Sequence, residues 1–273
     1  TTQGLEHLVF MGRSRQWGDG LPRTEKRKTG KAVSPKPLID WDMVVGVGER
    51  SDALGKVIIR PRKEEVIGAA KRLIEGGAEA IVVSFLWSFL NPSNELYAKE
   101  AIEEAFKEVR GGVIPVYLSS QVQPKWFEYP RMMTTIIEAF LHGRFVDDIT
   151  KLTNGLKQMG YRNPLMIVHG TGGMASPAKT RVVDTYNAGP IAGTLGCLFL
   201  GNNYYNMKNI VTTEMGGTSF NMSVIYGGEV VSYEFEPVVD RWAINVTFIE
   251  NRSIGAGGGS IAWFNEAMGG RLE

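Results

Sequence analysis

Thr213-Glu214-Met215-Gly216-Gly217-Thr218-Ser219-Phe220-Asn221 sets an acid, two adjacent glycines and two hydroxyls between two runs of strand-forming residues. Residues 210–213 lead in, 222–226 lead out, and a Gly227-Gly228 turn feeds 229–233. This punctuation predicts three short antiparallel strands whose first turn is rich in exposed backbone. Glycine carries no side chain over the peptide plane, so a polyphosphate can come close to the amides of such a turn. Thr218 and Ser219 add hydroxyl donors, and the Glu214 carboxylate is placed to hold magnesium through water. The residues alone leave a plain hairpin corner open as the alternative.

Two further glycine turns follow β-like runs: His169-Gly170-Thr171-Gly172-Gly173 and Gly255-Ala256-Gly257-Gly258-Gly259-Ser260. Turn amides converge on one point, and a following helix adds its positive end, so both are candidate anion sites. The second of them reads equally as close packing of a strand on neighbouring backbone. His169 ends an apolar run, where a neutral imidazole acts as acid, base or donor, or is satisfied by nearby backbone. Glu128 and Arg131 lie three apart at a helix start, so the carboxylate can cap amides while the guanidinium pairs with it or with a substrate carboxylate. Trp126 and Tyr129 suit an aromatic pocket or the core. His7 and His142 have no companions at metal-ligand spacing, which argues against zinc.

Upstream, residues 42–49 and 55–60 suggest strands separated by a Ser51-Asp52 turn. Val66, Ile67, Ala70, Leu73 and Ile74 share a helical face that Gly76-Gly77 stops. The apolar run 80–86 predicts a strand buried on both faces. Asn91-Pro92 opens a helix with Leu96, Ala101, Ile102, Ala105, Phe106 and Val109 inward; Gly111-Gly112 ends it and 113–118 returns as a strand. That order is a βαβ unit with a parallel strand pair. Residues 130–156 read as helix with a break near His142-Gly143, 165–168 as a short buried strand, and 184–200 as a loop running into a tightly packed helix. Asn202-Asn203 marks a domain boundary.

A chain of 273 residues holds one large or two medium domains. A net charge of +1 supplies no drive toward nucleic acid or acidic lipid. The basic residues Arg23, Lys26, Arg27, Lys28, Lys31 and Lys36 stand among Thr, Gly and Pro and read as a solvated loop. Cys197 is the single cysteine, so no internal disulfide forms, and its apolar neighbours predict burial. The sequence shows no apolar run of membrane-spanning length and no signal-peptide pattern, giving a cytoplasmic expectation with no membrane partner.

Six blocks together resemble the hydantoinase A/oxoprolinase family: 84–95 with its Asn91-Pro92; Glu128-Tyr129-Pro130-Arg131 with Thr134-Thr135 and Glu138-Ala139-Phe140; 169–173; Ala188-Gly189-Pro190-Ile191-Ala192-Gly193; 213–221; and 254–263. Upstream of Ser84 the only support is Met11-Gly12-Arg13. The resemblance implies an α/β fold, the ribonuclease H-like ATPase core of actin, sugar kinases and Hsp70, present as a partial chain. It implies residues 1–125 as the remainder of an N-terminal domain, 126–202 as a connecting region and 203–273 as the start of a second ATPase-type domain. Phe220 and His169-Gly170 are similar to the ketone carboxylase branch. That branch implies ATP with Mg2+ or Mn2+, ketone and bicarbonate as substrates, and other carboxylase subunits as partners in a hetero-oligomer. In this reading Glu214 and His169 are catalytic, with Glu214 on the metal through water. Gly216, Gly217, Thr218, Ser219, Gly257, Gly258, Gly259 and Ser260 hold phosphate. Gly170, Thr171, Gly172, Gly173, Glu128 and Arg131 face the substrate. A ring-opening hydrolase of hydantoin or oxoproline is the alternative within the family. The family's usual acids at positions 214 and 221 are both Asp, whereas this chain has Glu214 and Asn221, so a degenerate scaffold is the second alternative.

Overall fold

Asp52 accepts the amides of Leu54 and Lys56 at 2.9 Å each and so closes the antiparallel hairpin of β1 (Arg50–Ser51) on β2 (Val57–Ile59). In this computed structural model the described residues are 1–11, 36–107, 114–239 and 242–261, with the backbone of 264–265 and 271–272. Gly12-Arg13, the basic residues 23–31, Gly111-Gly112 and Ala262-Trp263 lie outside them. The chain divides into two compact units: Thr1–Leu165 with Arg181–Val183 and Phe235–Val246, and Met166–Thr180 with Asp184–Glu234 and Thr247–Glu273.

In the first unit, α1 (Lys63–Glu75) buries Val66, Ala70 and Ile74, one residue per turn, and stops where Gly77 takes φ +97°, a conformation that side chains disfavour. The strand β3 (Ile81–Val83), the helix α2 (Ser93–Ala105) and the strand β4 (Val116–Leu118) form the expected βαβ unit, with Ile81, Val82 and Val83 in parallel register with Val116, Tyr117 and Leu118. Their apolar residues join Val66, Ala70 and Ile74 in one core. Asn91 Oδ1 accepts the Ser93 amide at 3.0 Å and starts α2. The short α3 (Ser119–Val122) leads to α4 (Glu128–Gln158), whose first turns bury Met132, Met133 and Ile136 against Val9 and Trp242.

Three expectations for this unit are corrected. Residues 42–49 form a 3-10 turn at Trp41–Met43 and a single bridge from Val47 to Thr2. Gly46 and Gly48 contribute no side chains there, and Glu49 turns inward to Thr2 and to Asn94, the latter at 2.8 Å. The inward face of α2 starts with Asn94 and Glu95, while Leu96 is exposed. The helix α4 runs unbroken through His142-Gly143. One interior glycine costs only about 1 kcal/mol, and good helix formers flank it.

In the second unit, β5 (Ile167–Val168) turns back on β6 (Met174–Ala175); the pair is antiparallel and β5 is half-buried, not the buried strand expected at 165–168. The helix α5 (Ala188–Leu200) buries Ile191 and Thr194, and the chain continues through a π-helical turn at Gly201–Tyr205. Cys197 is exposed on α5, contrary to expectation, because only the Ile191 face finds a core, made with Phe248 and Ile249. The sheet is β7 (Ile210–Met215), β8 (Phe220–Tyr226) and the strand Arg252–Ile254, in the order 252–254, β8, β7, with β9 (Glu229–Val230) also on β8.

Candidate functional site

The hairpin of β7 and β8 runs in register from Ile210 opposite Ile225 to Met215 opposite Phe220, which leaves residues 216–219 as its turn. The Gly216 amide closes the turn on the Ser219 carbonyl at 3.0 Å. That amide is therefore consumed internally and withdrawn from the expected cradle. The amides of Gly217, Thr218 and Ser219 donate to nothing among the described residues. A Cβ built on Gly216 or Gly217 would meet nothing within 4 Å, so the turn is open on its outer side.

The glycine segment 255–260 lies directly against this turn. Pairing of Ile254 with Phe220 brings it there, since the strand Arg252–Ile254 ends beside the hairpin loop. Gly258 donates its amide to the Gly216 carbonyl at 2.9 Å. A Cβ on Gly257 would fall 2.3 Å from the Gly217 carbonyl oxygen, so backbone meets backbone with no room for a side chain. The segment folds on itself through Ser260 N–H to the Gly257 carbonyl at 2.8 Å and Gly257 N–H to Ser260 Oγ at 3.0 Å. The close-packing reading of this segment accounts for these contacts, and the backbone it packs on is the other glycine turn.

Glu214 stands opposite Asn221 across the ladder. The Asn221 side-chain amide lies 3.5 Å from Glu214 Oε2 and 3.4 Å from Ser219 Oγ, and Asn221 is buried while Glu214 is exposed. Among the described residues no group of three or more His, Cys, Asp or Glu side chains could hold a metal. One exposed carboxylate beside free amides suits a divalent cation that keeps its waters and is otherwise held by phosphate oxygens, the habit of magnesium. The donor set fits an anion with its counter-cation.

His169 sits half-buried at the end of β5, with Nε2 3.1 Å from Thr180 Oγ1, which itself donates to the Ser176 carbonyl at 3.0 Å. The turn after it is braced: Gly172 donates to His169 at 2.9 Å and Gly170 donates to Asp184 at 2.7 Å. A Cβ on Gly170 would meet the Tyr186 carbonyl at 2.8 Å, and one on Gly172, at φ +89°, would meet Leu195 at 2.7 Å. Close packing thus accounts for both glycines, while Thr171 and Gly173 are exposed.

Glu128 and Arg131 fall in the first unit, at the start of α4. Arg131 is fully buried and donates to Ser119 Oγ at 3.1 Å, to the Lys125 and Phe85 carbonyls at 3.2 and 3.0 Å, and to Glu128. Glu128 also accepts the Trp87 amide at 3.2 Å. Burial draws the guanidinium pKa down to about 10, with Glu95 pulling the other way, so it is charged at neutral pH. The pair closes on backbone and on itself, which accounts for Arg131 without a ligand. Sequence reasoning missed Glu95, the centre of this network. Its carboxylate accepts from Phe85 N–H at 2.9 Å, Ser119 Oγ at 2.7 Å, and Ser120 N–H and Oγ at 2.9 and 2.6 Å. The available signal was an Asn-Glu pair interrupting the apolar face of a helix. Trp87 and Phe127, at φ +58° and +67°, flank the network.

The family model for the hydantoinase/oxoprolinase N-terminal region matches residues 3–106, and that for hydantoinase/oxoprolinase matches 131–273. The chain is 40% identical over its whole length to the acetophenone carboxylase gamma subunit of Aromatoleum aromaticum, spanning 37% of that protein. A nucleotide-free structure of acetone carboxylase superposes with a TM-score of 0.83 at 29% identity, covering 99% of this chain and 38% of that one. The ATP-dependent caprolactamase of Pseudomonas jessenii superposes with a TM-score of 0.79 at 26% identity, covering 97% of this chain and 37% of that one. The chain thus spans a little over a third of each of these three relatives, and it belongs to the hydantoinase/oxoprolinase family.

Proposed function

We propose that this chain is part of the ATP-using subunit of a ketone carboxylase of the acetone or acetophenone type, built on a ribonuclease H-like ATPase core. One observation carries the reading: the two interlocked glycine turns present the free amides of Gly217, Thr218 and Ser219 beside Glu214. The likeness to the acetophenone carboxylase subunit supports the choice of chemistry. The amides and the Thr218 and Ser219 hydroxyls take up oxygens of the transferred phosphoryl group, and fixed donors of this kind supply most of the stabilisation such a transfer needs. Glu214 would hold magnesium or manganese through water, and the metal would neutralise phosphate charge. Gly257 and Gly258 hold the first turn in shape, and Ser260 braces Gly257. His169, fixed by Thr180 through Nε2, leaves Nδ1 to move a proton on the carbonyl substrate, with Thr171 and Gly173 beside it.

Phosphoryl transfer to the ketone's enolate oxygen and to bicarbonate would give an enol phosphate and carboxyphosphate, making phosphate the leaving group in carboxylation. Other carboxylase subunits complete the assembly. The exposed lone thiol of Cys197 suits the reducing cytoplasm. Among the described residues no helix is long and apolar enough to cross a membrane.

The test is magnesium-dependent ATP hydrolysis by the native complex. Stimulation that requires both a ketone and bicarbonate is expected. Stimulation by a cyclic amide alone would overturn it in favour of ring-opening hydrolysis, a reading that the likeness to caprolactamase supports. Glu214 and Asn221 motivate a third reading, a scaffold without turnover; ATPase activity unchanged on restoring Asp at both positions speaks against it.

A further inference from the structure

We infer that Asn221 is a positioning residue: its side-chain amide is the shared donor that sets the Glu214 carboxylate and the Ser219 hydroxyl on one side of the loop, and its neutrality commits a single carboxylate to the cation. The inference rests on the phosphate-site reading above.

Position 221 is fixed more firmly than either group it serves. It lies on β8, the middle strand, paired to Glu214 on one side and to Ser253 on the other. It is only 6% exposed, whereas Glu214 and Ser219 face solvent or its edge. Directly opposed cross-strand residues have their Cβ atoms about 5 Å apart, within reach of one amide group. The Asn221 Nδ2 carries two hydrogens and lies 3.5 Å from Glu214 Oε2 and 3.4 Å from Ser219 Oγ, one for each. Such long contacts tighten when a ligand fills the site. Among the described residues no cation pairs with Glu214; Arg252, on the far side of β8, is committed to Glu250 at 2.5 Å. The carboxylate's direction therefore depends on Asn221. An Asp there would have the same shape, would place a second negative charge against Glu214, and would turn the pair into a two-carboxylate cation site.

The experiment is Mn2+ binding to the full chain without nucleotide, followed by the loss of the free-ion signal in electron paramagnetic resonance. Ligand charge sets divalent affinity, so Asn221→Asp is expected to bind Mn2+ about tenfold more tightly than wild type. Glu214→Gln in the same background should abolish that gain. Asn221→Leu, which keeps the branched shape at a larger volume and lacks the donor, should weaken Mn2+-dependent ATP binding about tenfold and metal-free binding by less, the latter through the Ser219 hydroxyl alone. Unchanged Mn2+ affinity in Asn221→Asp, or a gain that survives Glu214→Gln, overturns the inference. Failure of the phosphate-site reading looks different: ATP affinity would be the same in wild type and Glu214→Gln, while the nucleotide-free Mn2+ result would stand. Thermal melts of the isosteric Asp variant separate misfolding from loss of function.

Discussion

The Gly258 amide donates to the Gly216 carbonyl at 2.9 Å and ties together two glycine turns about forty residues apart in the chain. The direction of this bond matters. The second turn spends a donor on the first turn's carbonyl, so the first turn's own amides at 217–219 stay free. One glycine segment shapes the other, and neither needs to be a phosphate loop by itself.

Gly257→Ala would drive a methyl group to 2.3 Å from the Gly217 carbonyl oxygen, a clash with backbone that no side-chain rotation relieves. The expected result is a loss of about 1–3 kcal/mol in stability. Nucleotide affinity should fall further than stability alone explains, because the turn at 216–219 is displaced. Gly259→Ala meets open space and is the matched control. Thermal melts and equilibrium ATP binding of the two variants check the contrast. Equal behaviour of the two would mean that the turns do not brace each other.

The local elements were legible where one signal dominated. The face of Val66, Ala70 and Ile74, the βαβ unit and the β7–β8 hairpin follow from periodicity and glycine punctuation. What the pattern could not carry was pairing between distant segments. Nothing in residues 255–260 says that Ile254 will lie opposite Phe220, yet that register brings the two glycine turns together. Polar groups with buried partners were equally hidden. Glu95 looks like any first-turn acid of a helix until Ser119, Ser120 and Phe85 arrive from other segments. Cys197 was misjudged because apolar neighbours in sequence do not guarantee a neighbour in space.

Arg131→Ala should cost about 3–5 kcal/mol, since it leaves the Glu128 carboxylate without its cation and opens a void at a fully buried position. Arg131→Met combined with Glu128→Gln removes both charges and retains volume, and should recover much of that loss. Urea denaturation followed by the fluorescence of Trp126 and Trp242, both in the same unit, reads the effect. A double variant no more stable than Arg131→Ala would show that the hydrogen bonds to Phe85 and Ser119 matter more than charge pairing.

If the proposed role of Glu214 holds and its carboxylate acts only through the metal's water, chelation of divalent metal should weaken ATP binding by wild type about tenfold, with a much smaller change in Glu214→Gln. Glu214 is exposed and makes no ion pair among the described residues, so the substitution should leave the thermal midpoint within about a degree of wild type. Calorimetric titration with and without a chelator provides the comparison. Equal metal dependence in the two proteins would remove Glu214 from the site.

Glu250 gives the second unit an acid-sensitive contact. The Ser232 hydroxyl donates to its carboxylate and Arg252 pairs with it at 2.5 Å, so its pKa is held below the usual carboxylate value, the serine contributing most. The sign follows from linkage: a lowered carboxylate pKa adds stability above the unfolded-state value of about 4.3, and that stability is lost as pH falls through the folded value. The local probe is hydrogen exchange at the Glu250 amide, which donates to the Ser232 carbonyl at 2.9 Å. Wild type should protect this amide more than Glu250→Gln at neutral pH, and the difference should shrink once the pH drops below about 4. Ser232→Ala should reproduce most of the effect, because the hydroxyl is the larger cause. A protection gap that stays constant into acid would mean that the carboxylate's charge has no part in holding the strand end.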